Sequence, residues 1–132
     1  MATSSTIAVK VGNGIYKAIY CHNDGYPSYM YPMLSKNYDT QEKAEALVSL
    51  GDASFIAKHL CPSEGSNHHF DHPEKDVSIF YHRDRGESWH HNSPNLFTRE
   101  DTLDWQYYTY IFEDDCWWAF EGGREIYDQD LI

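Results

Sequence analysis

The stretch 6–22 constrains the fold of this chain more than any other. Residues 6–11 and 15–22 are rich in β-branched and aromatic side chains, and Gly12-Asn13-Gly14 lies between them. Glycines accept positive φ, so this pattern predicts two strands joined by a tight hairpin turn. In the second strand Ile15, Lys17, Ile19 and Cys21 point one way, and Tyr16, Ala18, Tyr20 and His22 the other. Asn23-Asp24-Gly25 then turns the chain. A second hairpin follows far downstream, where 105–113 and 116–121 flank Asp114-Asp115. Gly122-Gly123 leads into a last short strand at 124–127, and 77–82 reads as a middle strand.

Helices occupy the gap between the hairpins. Pro27 suits a first helical turn, but Pro32 removes a backbone bond, so 27–38 reads as a short, broken helix. Asp39-Thr40 caps a helix over 41–50, with Ala44, Leu47 and Val48 on its apolar stripe and Gly51 as its stop. Asp52 reads as the cap of another short helix over 53–60. Residues 61–76 have the composition of a long loop, and 88–100 look irregular. The expected fold is α+β, an antiparallel sheet of about five or six strands from two hairpins plus a middle strand, with roughly two or three short helices on one side. A chain of 132 residues suits a single globular domain, 1–132.

Charge excludes several functions. The chain has 21 Asp and Glu against 10 Lys and Arg, a formal net charge of −11. A phosphate-neutralising nucleic-acid surface or an anionic-lipid surface needs clustered basic residues, so neither is expected. Residues 100–132 hold ten acids and one base, Arg124, whereas 1–99 hold eleven acids and nine bases. The excess therefore belongs to one segment, where it is interleaved with Trp and Tyr. Acids around exposed aromatic rings suit a basic protein surface. The candidate partner-binding residues are Glu113, Asp114, Asp115, Trp117, Trp118 and Glu121. Solvated acids and a helix-covered hairpin are the alternative.

Eight histidines raise a separate question. His22 ends a strand beside Cys21, His68, His69 and His72 share the long loop with Asp71, and His82 ends the middle strand. Zinc takes imidazole, thiolate or carboxylate ligands in a tetrahedron, often with one closely spaced pair such as His69 and His72. The candidate ligands of a structural zinc are Cys21, His22, His69, Asp71, His72 and His82. Cys21 and His22 point to opposite faces of a regular strand, so His22 is the favoured one of the two. Loop histidines that simply face solvent are the alternative. No nucleophile–base pair or phosphate loop is evident, so the chain is not read as an enzyme and no residue is assigned a catalytic role. Arg83, Asp84, Arg85 and Glu87 read as a self-paired turn or as part of a small anion or nucleotide pocket floored by tyrosines. Three cysteines, an odd number, argue against a disulfide framework. Neither a signal segment nor a membrane span is evident, so a cytoplasmic location is expected.

Three strings carry a family resemblance: Ile19-Tyr20-Cys21-His22-Asn23-Asp24-Gly25-Tyr26-Pro27, Phe70-Asp71-His72-Pro73 and Phe80-Tyr81-His82-Arg83-Asp84-Arg85-Gly86-Glu87. Together with Leu50-Gly51-Asp52 they resemble a family of small phage- and prophage-encoded proteins. Asn23 stands where that family has Trp, and His82 where it has Gly. In size, acidity and lack of catalytic motifs the chain is similar to anti-CRISPR inhibitors of type II-A systems, some of which bind metal. The resemblance implies a phage protein in the host cytoplasm that binds a type II CRISPR effector nuclease and blocks nucleic-acid loading or cleavage, with zinc holding the long loop. Sequestration of a nucleotide defence signal by Arg83 and Arg85 is the alternative, and a metal-dependent hydrolase a more distant one.

Overall fold

The computed structural model describes residues 2–126. The first hairpin forms as the sequence predicts: β1 (Ser5–Gly12) pairs antiparallel with β2 (Ile15–Cys21), Ile7 opposite Ile19 and Ala8 opposite Ala18. So does the second. The strands β6 (Tyr108–Glu113) and β7 (Cys116–Glu121) pair antiparallel, with Asp114 and Asp115 both at positive φ (54° and 64°). Two consecutive positive-φ residues match the right-handed strand twist, and Asp tolerates that conformation better than most side chains. A final strand, β8 (Arg124–Ile126), pairs with β7. Tyr127, the expected end of that strand, lies outside the described residues.

The sheet is mixed, which corrects the antiparallel expectation. It has eight strands: seven lie in the order β4 (Ile79–Phe80), β3 (Ala53–Phe55), β2, β1, β6, β7, β8, and β5 (Asn95–Phe97) pairs with β2 off that path. The two hairpins join through a parallel β1–β6 contact, with Ile7 level with Tyr110. A hairpin's sequence specifies pairing within itself but not which way its neighbour runs. The outer edge of β2 is shared. One end takes β3 in parallel, beyond which lies β4, and the other takes β5 antiparallel.

The helix expected over 53–60 is absent, because Asp52 is used differently. Its Oδ1 accepts from the Tyr20 backbone N–H at 3.0 Å, which draws the next residues against β2 instead of capping a helix. The helix α1 (Pro27–Asn37) runs unbroken through Pro32, again against expectation. The carbonyl that Pro32 leaves without its helical donor belongs to exposed Ser28, where solvent can serve it. The helix α2 (Gln41–Val48) begins as predicted, with Thr40 Oγ1 accepting from Lys43 N–H at 3.1 Å. The middle strand is shorter than predicted. The chain turns at once into α3 (Tyr81–Arg85), and 88–100 contain α4 (Trp89–Asn92), β5 and the start of α5 (Arg99–Trp105).

Both faces of the sheet are covered, not one. On the first, Met30 and Leu34 of α1 and Ala44, Leu47 and Val48 of α2 pack on Ile7, Val9, Ile19, Tyr110, Phe112 and Trp117. On the second, Leu103 and Trp105 of α5 and Phe97 of β5 pack on Ala8, Tyr16, Ala18, Ile111 and Phe120. Burial on two sides explains why β1 and β6 carry near-continuous apolar runs instead of strict alternation. Each large side chain so buried contributes about 1.5–3 kcal/mol. Among the described residues no helix is long and apolar enough to cross a membrane.

Candidate functional site

Five acids of the charged segment, Glu113, Asp114, Asp115, Glu121 and Glu125, lie on β6–β8 and their turns, while Glu100, Asp101 and Asp104 lie on α5. The strands β6, β7 and β8 form one end of the sheet, while β2, β3 and β4, which carry or adjoin Cys21, His22 and His82, form the other. The tight β6–β7 turn projects Asp114 and Asp115 into solvent, and neither has an ion-pair partner among the described residues. Trp118, on the α5 side of the sheet, is 38% exposed. Its indole N–H donates to the Glu113 carbonyl at 2.9 Å, so the ring is fixed while its face stays open. Glu121 is exposed at the far end of β7 beside Tyr108, whose phenol is pushed up by burial and then by the Glu121 charge. Tyr107, 61% exposed, adjoins Gly122 at the same end.

Two of the expected docking residues have internal roles. Trp117 is 3% exposed and lies in the core, a correction to its expected place at the surface. Its Nε1–H donates to the Tyr38 carbonyl at 2.7 Å, joining β7 to the end of α1. Glu113 is largely covered; its Oε1 accepts from Tyr16 Oη at 2.5 Å and from Arg99 at 3.4 Å. Arg99 also lies over the Phe120 ring, so it fastens the start of α5 to the hairpin. Of the expected partner-binding residues, Asp114, Asp115, Trp118 and Glu121 are exposed, as are Tyr107 and Glu125 of the same strands and turns.

The metal candidates are dispersed. Cys21 is fully buried on the α1/α2 side, and burial pushes its thiol up to about 12. His22 is exposed, with Nδ1 2.7 Å from Tyr20 Oη. His69 and His72 close a tight turn through mutual backbone hydrogen bonds, their rings 5.4 Å apart, and His69 Nδ1 accepts from Asp71 N–H at 3.0 Å. His82 packs edge-on against Trp89 with Nδ1 2.8 Å from the Glu87 carbonyl. Among the described residues no three His, Cys, Asp or Glu side chains group closely enough to share one ion. A closed structural zinc site takes four converging ligands, and this arrangement gives the zinc expectation no support.

A buried polar centre ties the long loop to α3 by bringing His68, which was not among the candidate ligands, to the Arg83–Asp84 turn. His68 and Asp84 side chains are 1% and 4% exposed, with His68 Nε2 3.3 Å from Asp84 Oδ1 but poorly aligned for a hydrogen bond. His68 Nδ1 accepts from Glu74 N–H at 2.9 Å, which places the ring proton on Nε2, toward the carboxylate. Asp84 also accepts from Arg83 Nε and Nη2 at 2.8 and 3.0 Å and from Phe80 N–H at 2.8 Å. Burial acts to raise the Asp84 carboxyl, but the Arg83 guanidinium and the Phe80 N–H outweigh it, and the net effect is downward. Arg83 donates further to the carbonyls of Leu60 and Ser78. Its donors are thus engaged by the protein itself, and Arg85 pairs with Glu87 at 3.6 Å. Within the turn Arg83 pairs with Asp84, and the exposed Arg85 lies over the Phe70 ring.

No protein-family model, curated protein or solved structure matches this chain.

Proposed function

We propose that this chain is a non-enzymatic binding protein whose β6–β8 end docks on a basic protein surface. The observation that carries the reading is the unpaired Asp114–Asp115 turn close to a fixed, open Trp118 ring. Rigid aromatic faces supply most of the energy at protein interfaces, and surrounding charges set approach rate and partner choice. The family resemblance supplies the partner class: a type II CRISPR effector nuclease, whose nucleic-acid channel is basic, with blocked loading or cleavage as the result. Nothing in this mode requires zinc, since the His68–Asp84–Arg83 centre already ties the long loop to α3.

A target-cleavage assay tests it. Excess protein should suppress cutting by a type II effector assembled with its guide. Trp118→Ala should weaken that suppression by roughly 30-fold, corresponding to about 2 kcal/mol for an anchoring ring. Undiminished cutting across several type II effectors overturns the partner class. Full suppression by the Trp118→Ala protein overturns the docking surface.

A further inference from the structure

A cleft of about 240 Å³ opens between the end of α1, the outer side of α2 and residues 58–60. Its lining reverses the character of the chain. The chain has about twice as many acids as bases, yet Lys43, Lys58, His59 and Asn37 form the polar side of this cleft, and no carboxylate lines it. Ala46 and Leu60 supply apolar wall, with the buried Tyr38 behind them. Lys58 has no ion-pair partner among the described residues. Lys43 has one, Asp39 at 3.4 Å, but both side chains are more than half exposed, so the pair is weak and Lys43 can turn to a ligand.

The backbone of residues 59–60 and the Tyr38 ring are held before any ligand arrives, while the two lysine side chains stay free to move. His59 N–H donates to the Asp76 carbonyl at 2.9 Å and its own carbonyl accepts from Ser78 N–H at 2.9 Å, while Leu60 is held through its carbonyl by Arg83. Tyr38 is held by its hydroxyl, which donates to the Ala57 carbonyl at 2.6 Å. The Tyr38 carbonyl, at the electronegative end of α1, is taken by the Trp117 indole, which lowers the repulsion an anion would meet there. Such preorganisation reduces the ordering cost of binding.

We infer that this cleft is a binding site for a small phosphomonoester with an apolar body. The volume accommodates roughly ten non-hydrogen atoms, at the small end of ligand pockets. Two lysines act as compact point charges that suit a phosphate dianion, whereas a planar carboxylate is better matched by the arginine fork that is missing here. The apolar wall takes the body of the ligand and the lysines take its phosphate. The inference is independent of the docking surface on the β6–β8 end.

Phenyl phosphate is the probe. It is titrated into the full chain at constant ionic strength and followed by backbone amide chemical shifts, with benzoate and chloride as the comparison anions. Saturable shifts are expected at residues 37–46 and 57–60, with millimolar or tighter affinity. Lys43→Gln and Lys58→Gln should each weaken binding about two- to fivefold, and the double variant should abolish saturation. Both lysines are exposed, so the amide spectra of the variants report directly that they fold. Absence of saturable shifts overturns the site, as does unchanged binding by a folded double variant. Benzoate binding as tightly as phenyl phosphate overturns the phosphate assignment.

Discussion

Replacing Asp84 should be among the most damaging single changes in the described fold. The carboxylate accepts two hydrogen bonds from Arg83 and one from the Phe80 backbone, with His68 a further 3.3 Å neighbour. Asp84→Ala leaves the Phe80 N–H without its acceptor and leaves the half-buried Arg83 charge with only the Leu60 and Ser78 carbonyls. Removing one partner of a buried ion pair costs about 3–5 kcal/mol. Arg83 is 22% exposed and keeps two acceptors, so the lower end, about 3 kcal/mol, is expected. Asp84→Asn retains the shape and one acceptor oxygen and should cost about 2 kcal/mol. Urea unfolding followed by tryptophan fluorescence measures both. The pH dependence gives an independent check. Because the folded carboxyl is held below its ordinary value, its stabilisation is complete above the unfolded-state value of about 4 and is lost as pH falls through the folded one. The gap between wild type and Asp84→Asn should therefore narrow on acidification below about pH 4. A loss under about 1 kcal/mol for Asp84→Ala, or a gap that does not narrow in acid, refutes the role assigned to this centre.

Three further outcomes follow from packing. Gly51→Ala should destabilise by well over 1 kcal/mol in the same urea assay, since Gly51 sits at φ 84° and an added Cβ would lie 2.3 Å from the Asn92 carbonyl oxygen. Thr109→Val should be neutral or stabilising by up to about 1 kcal/mol, because the buried Thr109 hydroxyl has no partner among the described residues; a clear loss would show that the hydroxyl is bonded. Cys21 should resist thiol reagents in the native protein while exposed Cys61 is modified promptly, as mass spectrometry of the peptides would show. Equal labelling of both would contradict the packing of β2 against α1 and α2.

Local chemistry was legible in the sequence and convergence was not. Gly12-Asn13-Gly14, Asp114-Asp115 and Thr40 each act within a few residues, so both hairpins and the start of α2 could be read directly. Tyr16 and Glu113, or His68 and Asp84, matter through partners that only the tertiary fold supplies, and nothing in their spacing announces it. Asp52 shows the limit most clearly. An Asp before a short apolar run reads as a helix cap, and the same side chain serves equally well as an acceptor for the Tyr20 N–H on a neighbouring strand. Trp117 and Trp118 are adjacent in sequence and opposite in fate, because a one-residue step along a strand moves a ring from the α1/α2 core to the other face. The histidines were conspicuous by number, yet the one that is buried and partnered is His68. The Lys43–Lys58 cleft is built from separate segments, and its basic lining is invisible in a composition dominated by acids.

The most direct test of the account is the affinity of the chain for an assembled type II CRISPR effector, measured at low and at physiological salt with the wild type and with Asp114→Asn/Asp115→Asn/Glu121→Gln. Asn tolerates the positive φ of the turn, so the variant removes charge without disturbing the hairpin. Docking through the acidic end predicts that the wild type binds, that the variant binds roughly tenfold more weakly at low salt, and that its affinity changes less with salt. Equal affinity and equal salt dependence for the two proteins, or no binding by either, would contradict it.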